Sequence, residues 1–187
     1  MNRIIILDNV FDDETVEVFK NLERSDTIVW HSLEEESPFL KILEVMKEYV
    51  DLSECVGYET WCNNNRIPNE HQDCNEMLKI HGILDFPLIG CVYYPYVGDV
   101  SGAEFYCEDV TIVPKTNRML LFTSTLWHHV KPDNNALNTR SPDGRYYELA
   151  NEGSRVAFSL NPWPYKPPTY AEYLRSKTSP NKQQYRC

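Results

Sequence analysis

The sequence predicts a mainly β domain of α+β type, an antiparallel sandwich or jelly roll with N-terminal helices packed outside it. Three observations carry that expectation. From residue 89 onward, short β-prone runs alternate with Gly, Pro and Asn, the rhythm of an antiparallel β architecture. The first fifty residues hold two one-sided apolar stripes at helical spacing. A length of 187 residues fits one domain with its own core. The expected divisions are a helical part over about 1–55, a β core over about 56–163 and an extended tail over 164–187.

In chain order, residues 3–7 (Arg-Ile-Ile-Ile-Leu) read as a short buried strand. Asp12 and Asp13 then offer an acidic cap for a helix on which Val16, Phe19 and Leu22 recur at helical spacing. Ser37-Pro38 marks a second helix start, with Phe39, Leu43, Met46 and Val50 as its apolar stripe. Residues 62–70 are polar and turn-forming, a loop that delivers the chain to His71. Strands are expected over 89–94, 104–107, 110–113, 118–122, 127–130 and 155–160. Two segments break the rhythm. Residues 133–152 form a connection longer than compact domains usually carry, expected to fold over a site as a lid with Tyr146 and Tyr147 inward, or else to be a disordered excursion. The last two dozen residues, rich in Pro, Lys and Tyr, are expected to wrap the surface and fray.

The net charge of −10 repels nucleic-acid phosphates and anionic membrane surfaces, so neither is an expected partner. A basic or neutral polypeptide, or a small molecule, suits the charge better. No run reaches the roughly 18 apolar residues of a membrane span, and Ile4-Ile5-Ile6-Leu7 is too short for a signal-peptide core. A cytoplasmic protein, of a bacterium or a virus, is the expectation. Six cysteines show no C-x-x-C pair of the kind zinc sites use, which points to reduced thiols.

The chemistry concentrates at His71-Gln72-Asp73. In an extended segment, residues two apart project from the same face, so His71 and Asp73 can share one ion. A second histidine from a distant strand would complete a 2-His-1-carboxylate triad, which leaves the other face of an octahedral Fe(II) open. The pair His128-His129 offers that residue, and strand parity allows only one of the two to reach the metal. His31 and His81 lack such partners in the sequence. Arg155 stands in an otherwise apolar strand, where an unpaired charge costs several kcal/mol or more; it therefore calls for an anion.

These pieces occur in an order that resembles the Fe(II)- and 2-oxoglutarate-dependent oxygenases, nearest the prolyl-4-hydroxylase-like branch. The residues that carry the resemblance are His71-Gln72-Asp73, Gly90-Cys91-Val92-Tyr93-Tyr94, Ser101-Gly102-Ala103-Glu104-Phe105, His128-x-Val130-x-Pro132 and Gly153-Ser154-Arg155-Val156-Ala157. They cover about residues 55–163. The resemblance implies a double-stranded β-helix whose metal ligands are His71, Asp73 and His128, with His129 as the alternative to His128. It assigns Arg155, with Tyr94, to the distal carboxylate of 2-oxoglutarate. Trp61 falls where some relatives place a tyrosine near the keto acid.

The implied activity is hydroxylation of an unactivated C–H bond, of a prolyl or other peptidyl residue, using O2 and releasing succinate and CO2. Ascorbate would rescue oxidised iron. A carboxylate at Asp73 favours hydroxylation over halogenation, for which relatives carry a small residue there. Cys74, one residue on, would lie exposed to oxidants made at the iron. Two departures stand out: Ser101-Gly102 replaces the usual Gly-Gly, and Ala157 replaces the serine that some relatives place two residues after the arginine. The competing readings are a metal-dependent hydrolase on the same three ligands and a non-catalytic jelly-roll binding module.

Overall fold

The computed structural model describes residues 4–24, 27–62, 70–100, 102–131, 155–169 and 172. The 133–152 connection, most of the 62–70 loop and the tail beyond 172 lie outside the described residues. Twelve elements follow in order among those described: β1 (Ile4–Asp8), α1 (Asp13–Lys20), β2 (Val29–Ser32), α2 (Leu40–Lys47), β3 (Gly57–Cys62), α3 (Glu76–Lys79), β4 (Gly90–Val97), β5 (Phe105–Cys107), β6 (Val110–Ile112), β7 (Arg118–Phe122), β8 (His128–Val130) and β9 (Arg155–Trp163). They build a six-stranded sheet, β1-β7-β4-β9-β3-β2, and a three-stranded sheet, β6-β5-β8. Every strand pairing is antiparallel.

Alternation along the strands of the larger sheet separates two cores. Cys91 and Tyr93 of β4, Met119 and Leu121 of β7, and Val156, Phe158 and Leu160 of β9 face the helices, where Phe19, Ile42, Leu43 and Met46 meet them. The residues between them, Val92, Tyr94, Leu120, Phe122 and Ala157, face the smaller sheet and pack on Phe105, Cys107 and Val130. Each helix therefore needs one apolar face only. The α1 start is held by Asp12, whose side chain accepts the Thr15 amide at 2.8 Å. Asn117, in the left-handed region at φ 59°, ties the turn after β1 to the turn before β7: its Oδ1 accepts from the Phe11 amide and its Nδ2 donates to the Phe11 carbonyl.

Residues 3–7, expected as a buried strand, instead form the edge strand β1 with Ile6 46 % exposed, since only one neighbour, β7, covers it; the other differences are strand and helix ends and weakly patterned pieces. β2 (Val-Trp-His-Ser) and β3 (Gly-Tyr-Glu-Thr-Trp-Cys) were not expected as strands, because their polar residues dilute any apolar signal. They form because β9 offers a long edge: β3 pairs with it over six residues and β2 then pairs with β3. The N-terminal part thus contributes both edge strands of the larger sheet, β1 and β2, as well as its helices. α3 is a single turn, too short for a periodic pattern, and is started by Asn75, whose side chain accepts from the Met77 and Leu78 amides. α2 begins two residues beyond Ser37-Pro38, and β9 runs three residues beyond 160.

Gly90 opens β4 because the Phe122 ring lies over it: a Cβ there would sit 2.5 Å from two ring carbons. Phe122 is 1 % exposed and cannot swing away freely. Gly90→Ala should therefore destabilise the fold by about 1–3 kcal/mol, read as a lower urea midpoint, since overpacking forces side chains off their preferred rotamers. An unchanged midpoint would mean that the ring relocates without cost.

Candidate metal centre

Two segments, residues 71–73 and β8, meet at one cluster. His71 forms a single antiparallel bridge with His128, each amide donating to the other's carbonyl at 2.9 Å. Residues opposed in this way share a face, so both imidazoles project together, their ring centroids 4.4 Å apart. Asp73, two residues past His71, returns to the same side. Its Oδ1 lies 3.7 Å from Nε2 of His71 and 3.7 Å from Nε2 of His128. These separations exceed a hydrogen bond, yet the three ligand atoms all fall within 4.8 Å of one another, a spacing that one ion can bridge.

The surroundings favour a neutral, oriented His128. Its Nδ1 lies 3.0 Å from the Leu126 carbonyl; donation there leaves the Nε2 lone pair aimed at Asp73. Phe122 and Phe105 hold the ring from two sides, at 4.7 and 5.5 Å between centroids. Burial pushes its pKa down, and the Asp73 carboxylate opposes that shift in part. His128 and Asp73 are buried, whereas the His71 side chain is 34 % exposed. His129, one residue on, faces away and stacks on Tyr106 at 4.9 Å. Strand parity thus brings His128, and not its neighbour, to the cluster.

Arg155 begins β9, opposite Val97 of β4, and is 4 % exposed. Its Nε and Nη1 have no hydrogen-bond partner, and among the described residues no carboxylate pairs with it. Tyr94 is fully buried on the same inner face, its hydroxyl likewise without a hydrogen bond of normal geometry. Burial raises the Tyr94 pKa, and the Arg155 guanidinium is near enough to oppose that rise. Tyr93 turns the other way, into the helix-side core against Phe11 and Phe19. Trp61 pairs with Ser159 and lines an open cavity of about 220 Å³ with Thr27, His31 and Phe39. Glu76, at the start of α3, is exposed and pairs with Lys79.

Some polar residues of the interior escaped sequence reading. Glu59 and Asn161 sit opposite each other on β3 and β9, and Asn161 is 3 % exposed with its Oδ1 unpartnered. The available signal was parity: Asn161 shares phase with Arg155 and Ala157 on a strand whose alternate positions are apolar.

Neither a family model nor a curated protein matches the chain. Solved structures do. A prolyl hydroxylase from Trichoplax adhaerens, in complex with a hypoxia inducible factor oxygen degradation domain peptide fragment, superposes with a TM-score of 0.52 over 94 % of this chain and 87 % of that one, at 16 % identity. The fold is that of the prolyl hydroxylases. A prolyl-4-hydroxylase from Pseudomonas putida gives the same TM-score, 0.52, over 87 % of this chain and 93 % of that one, at 12 % identity. At these identities the likeness is one of fold, and the jelly-roll core expected from the strand rhythm is present.

Cys74 lies beside this cluster, half-buried and 3.8 Å from the Glu76 carboxylate. Burial first, and that carboxylate second, raise its pKa above 9.0. Cys62 and Cys107 are buried and pushed up to about 11. Because the thiolate is the nucleophile, alkylation of Cys74 should be slow at neutral pH and still climbing above pH 9.0, while Cys62 and Cys107 label only on unfolding. Mass mapping after timed iodoacetamide exposure checks this. Rapid modification of Cys74 at pH 7 would contradict it.

Proposed function

We propose that the protein is an Fe(II)- and 2-oxoglutarate-dependent dioxygenase that hydroxylates an unactivated C–H bond of a prolyl or other peptidyl residue. The observation that carries this reading is Arg155: a guanidinium buried to 4 % exposure, with Nε and Nη1 unpaired, beside the unpaired hydroxyl of Tyr94. A buried cation without an anion is destabilising by several kcal/mol. The planar fork and the phenol together suit a carboxylate, and 2-oxoglutarate brings one at the end remote from its keto acid. A hydrolase using the same three ligands has no need of this pair.

The donor set fits the group. His71 and His128 would supply imidazole nitrogens and Asp73 a carboxylate oxygen, the hard and borderline donors Fe(II) takes. When bound, iron with 2-oxoglutarate and O2 supplies the oxidant for the C–H bond, and the co-substrate leaves as succinate and CO2. The chain does the remaining work. The Leu126 carbonyl orients His128, Phe105 and Phe122 shield it from water, and Arg155 with Tyr94 would hold the distal carboxylate of the co-substrate. His71, whose side chain is 34 % exposed, would lie on the side open to substrate.

Anaerobic titration of Fe(II) and 2-oxoglutarate should produce the weak visible charge-transfer band of keto-acid chelation, and Asp73→Ala should abolish it. A well-folded, metal-loaded protein without the band would defeat the reading. Arg155→Ala should raise the 2-oxoglutarate requirement on the order of 30-fold or more while leaving the metal-dependent rise in Tm. Unaltered 2-oxoglutarate affinity in that variant would remove Arg155 from the role.

A further inference from the structure

On the inner face of the larger sheet, one cross-strand row leads toward the metal centre. Trp30 of β2 lies directly opposite Glu59 of β3, and Glu59 lies directly opposite Asn161 of β9. Residues opposed in antiparallel strands share a face, so an indole, a carboxylate and an amide stand side by side. The pairing of Cys91 with Leu160 brings the start of β4 alongside Asn161. There Gly90 is covered by the Phe122 ring, which in turn touches His128. The row therefore ends at the level of the proposed iron ligands.

Its chemistry is one-sided. Oε2 of Glu59 accepts the Trp163 indole N–H at 2.9 Å, and among the described residues no lysine, arginine or histidine pairs with that carboxylate. Burial raises the Glu59 pKa, the Trp163 indole N–H opposes that rise, and the like charge of Asp73 adds to it, so a bound cation would favour the carboxylate form. Asn161 is 3 % exposed, and its Oδ1 has no donor. Gly57 is bare because the Trp30 indole crosses it: a Cβ there would lie 2.3 Å from Cζ2 and 2.8 Å from Cη2. The indole thus lies over Gly57, two residues from Glu59 on the same face of β3. A buried amide oxygen without a donor, next to a carboxylate held by a single indole N–H and with no cation paired to it, is complementary to a cation rich in N–H groups.

We infer that the Trp30–Glu59–Asn161 row binds a cationic nitrogen of the substrate, an ammonium or guanidinium group. The substrate class is thus a basic amino acid, free or as a residue of a peptide. Glu59 supplies the opposite charge, Asn161 Oδ1 a second acceptor and Trp30 the ring. The net charge of −10 draws such a molecule in. This inference rests on the oxygenase reading only for the statement that the bound molecule is hydroxylated.

The test is calorimetric titration of the full chain, metal-free and again with Fe(II) and 2-oxoglutarate under anaerobic conditions. The free probes are L-arginine and L-lysine against their neutral counterparts L-citrulline and L-norleucine; the peptide probes are acetyl-Ala-Lys-Ala-amide and acetyl-Ala-norleucine-Ala-amide. In at least one set, the cationic member should bind about tenfold or more tightly than the neutral one. Glu59→Gln, which keeps shape and an acceptor for Trp163, should erase that preference with the urea midpoint retained. Trp30→Leu should reduce it in part. Preference among free amino acids alone identifies a small basic substrate, and preference among peptides alone a basic peptide. No preference in either set, or one that survives Glu59→Gln, overturns the inference. Failure of the oxygenase reading shows separately, as a missing charge-transfer band in the wild-type protein whatever the basic probes do.

Discussion

The constraint on which the site depends is the two-hydrogen-bond bridge between His71 and His128. Neither residue lies in a long ladder at that point. β8 has three residues, and His71 belongs to no strand. The bridge alone sets the two imidazoles on one face, and the period of two in extended chain then returns Asp73 to the same place. A one-residue slip would expose His129 and Gln72 where His128 and Asp73 now stand. Gln72 resists such a slip, since its side-chain amide donates to the Thr125 carbonyl in the approach to β8.

Around that bridge the fold separates two tasks by parity. On β4 and β9, alternate residues enter the helix-side core or the space between the sheets. The first set is wholly apolar on β9: Val156, Phe158, Leu160. The second carries Arg155, Ala157, Ser159 and Asn161, all buried and all but Ala157 polar. Burying polar groups in this way is unfavourable unless a partner satisfies them. Both faces are packed, the inner one on the smaller sheet, but only the inner one carries this buried polar row on β9.

Behind Asp73, a second network fixes the segment that carries it. Asn75, which is buried, caps α3, donates its side-chain amide to the Tyr165 hydroxyl at 3.1 Å and its backbone amide to the Asp85 carbonyl at 2.8 Å. Tyr165 in turn hydrogen-bonds the Asp85 carboxylate and packs against Trp163. The chain just past Asp73 is thus clamped to the end of β9, the same strand that begins with Arg155. One strand ties the proposed co-substrate anchor to the backbone of a proposed metal ligand.

Strong, local patterns were legible in the sequence. The apolar stripes of α1 and α2, the short strands from β4 to β9, and the polar exceptions His71, Asp73, His128 and Arg155 all stand out because periodicity and residue chemistry are properties of neighbours along the chain. The choice of His128 over His129 was a question of parity and became definite only when β8 paired with β5 and His71. β2 and β3 were invisible because their strand character comes from the edge that β9 presents, not from their own residues. Glu59, Asn161 and Trp30 were missed for the same reason: each is an ordinary polar or aromatic residue in sequence, and only the register of three strands sets them in one row. By itself the sequence determined which residues can do chemistry and which face each would share with its near neighbours. Tertiary structure decided which distant faces meet, because strand register is set by long-range pairing and burial that no local pattern encodes.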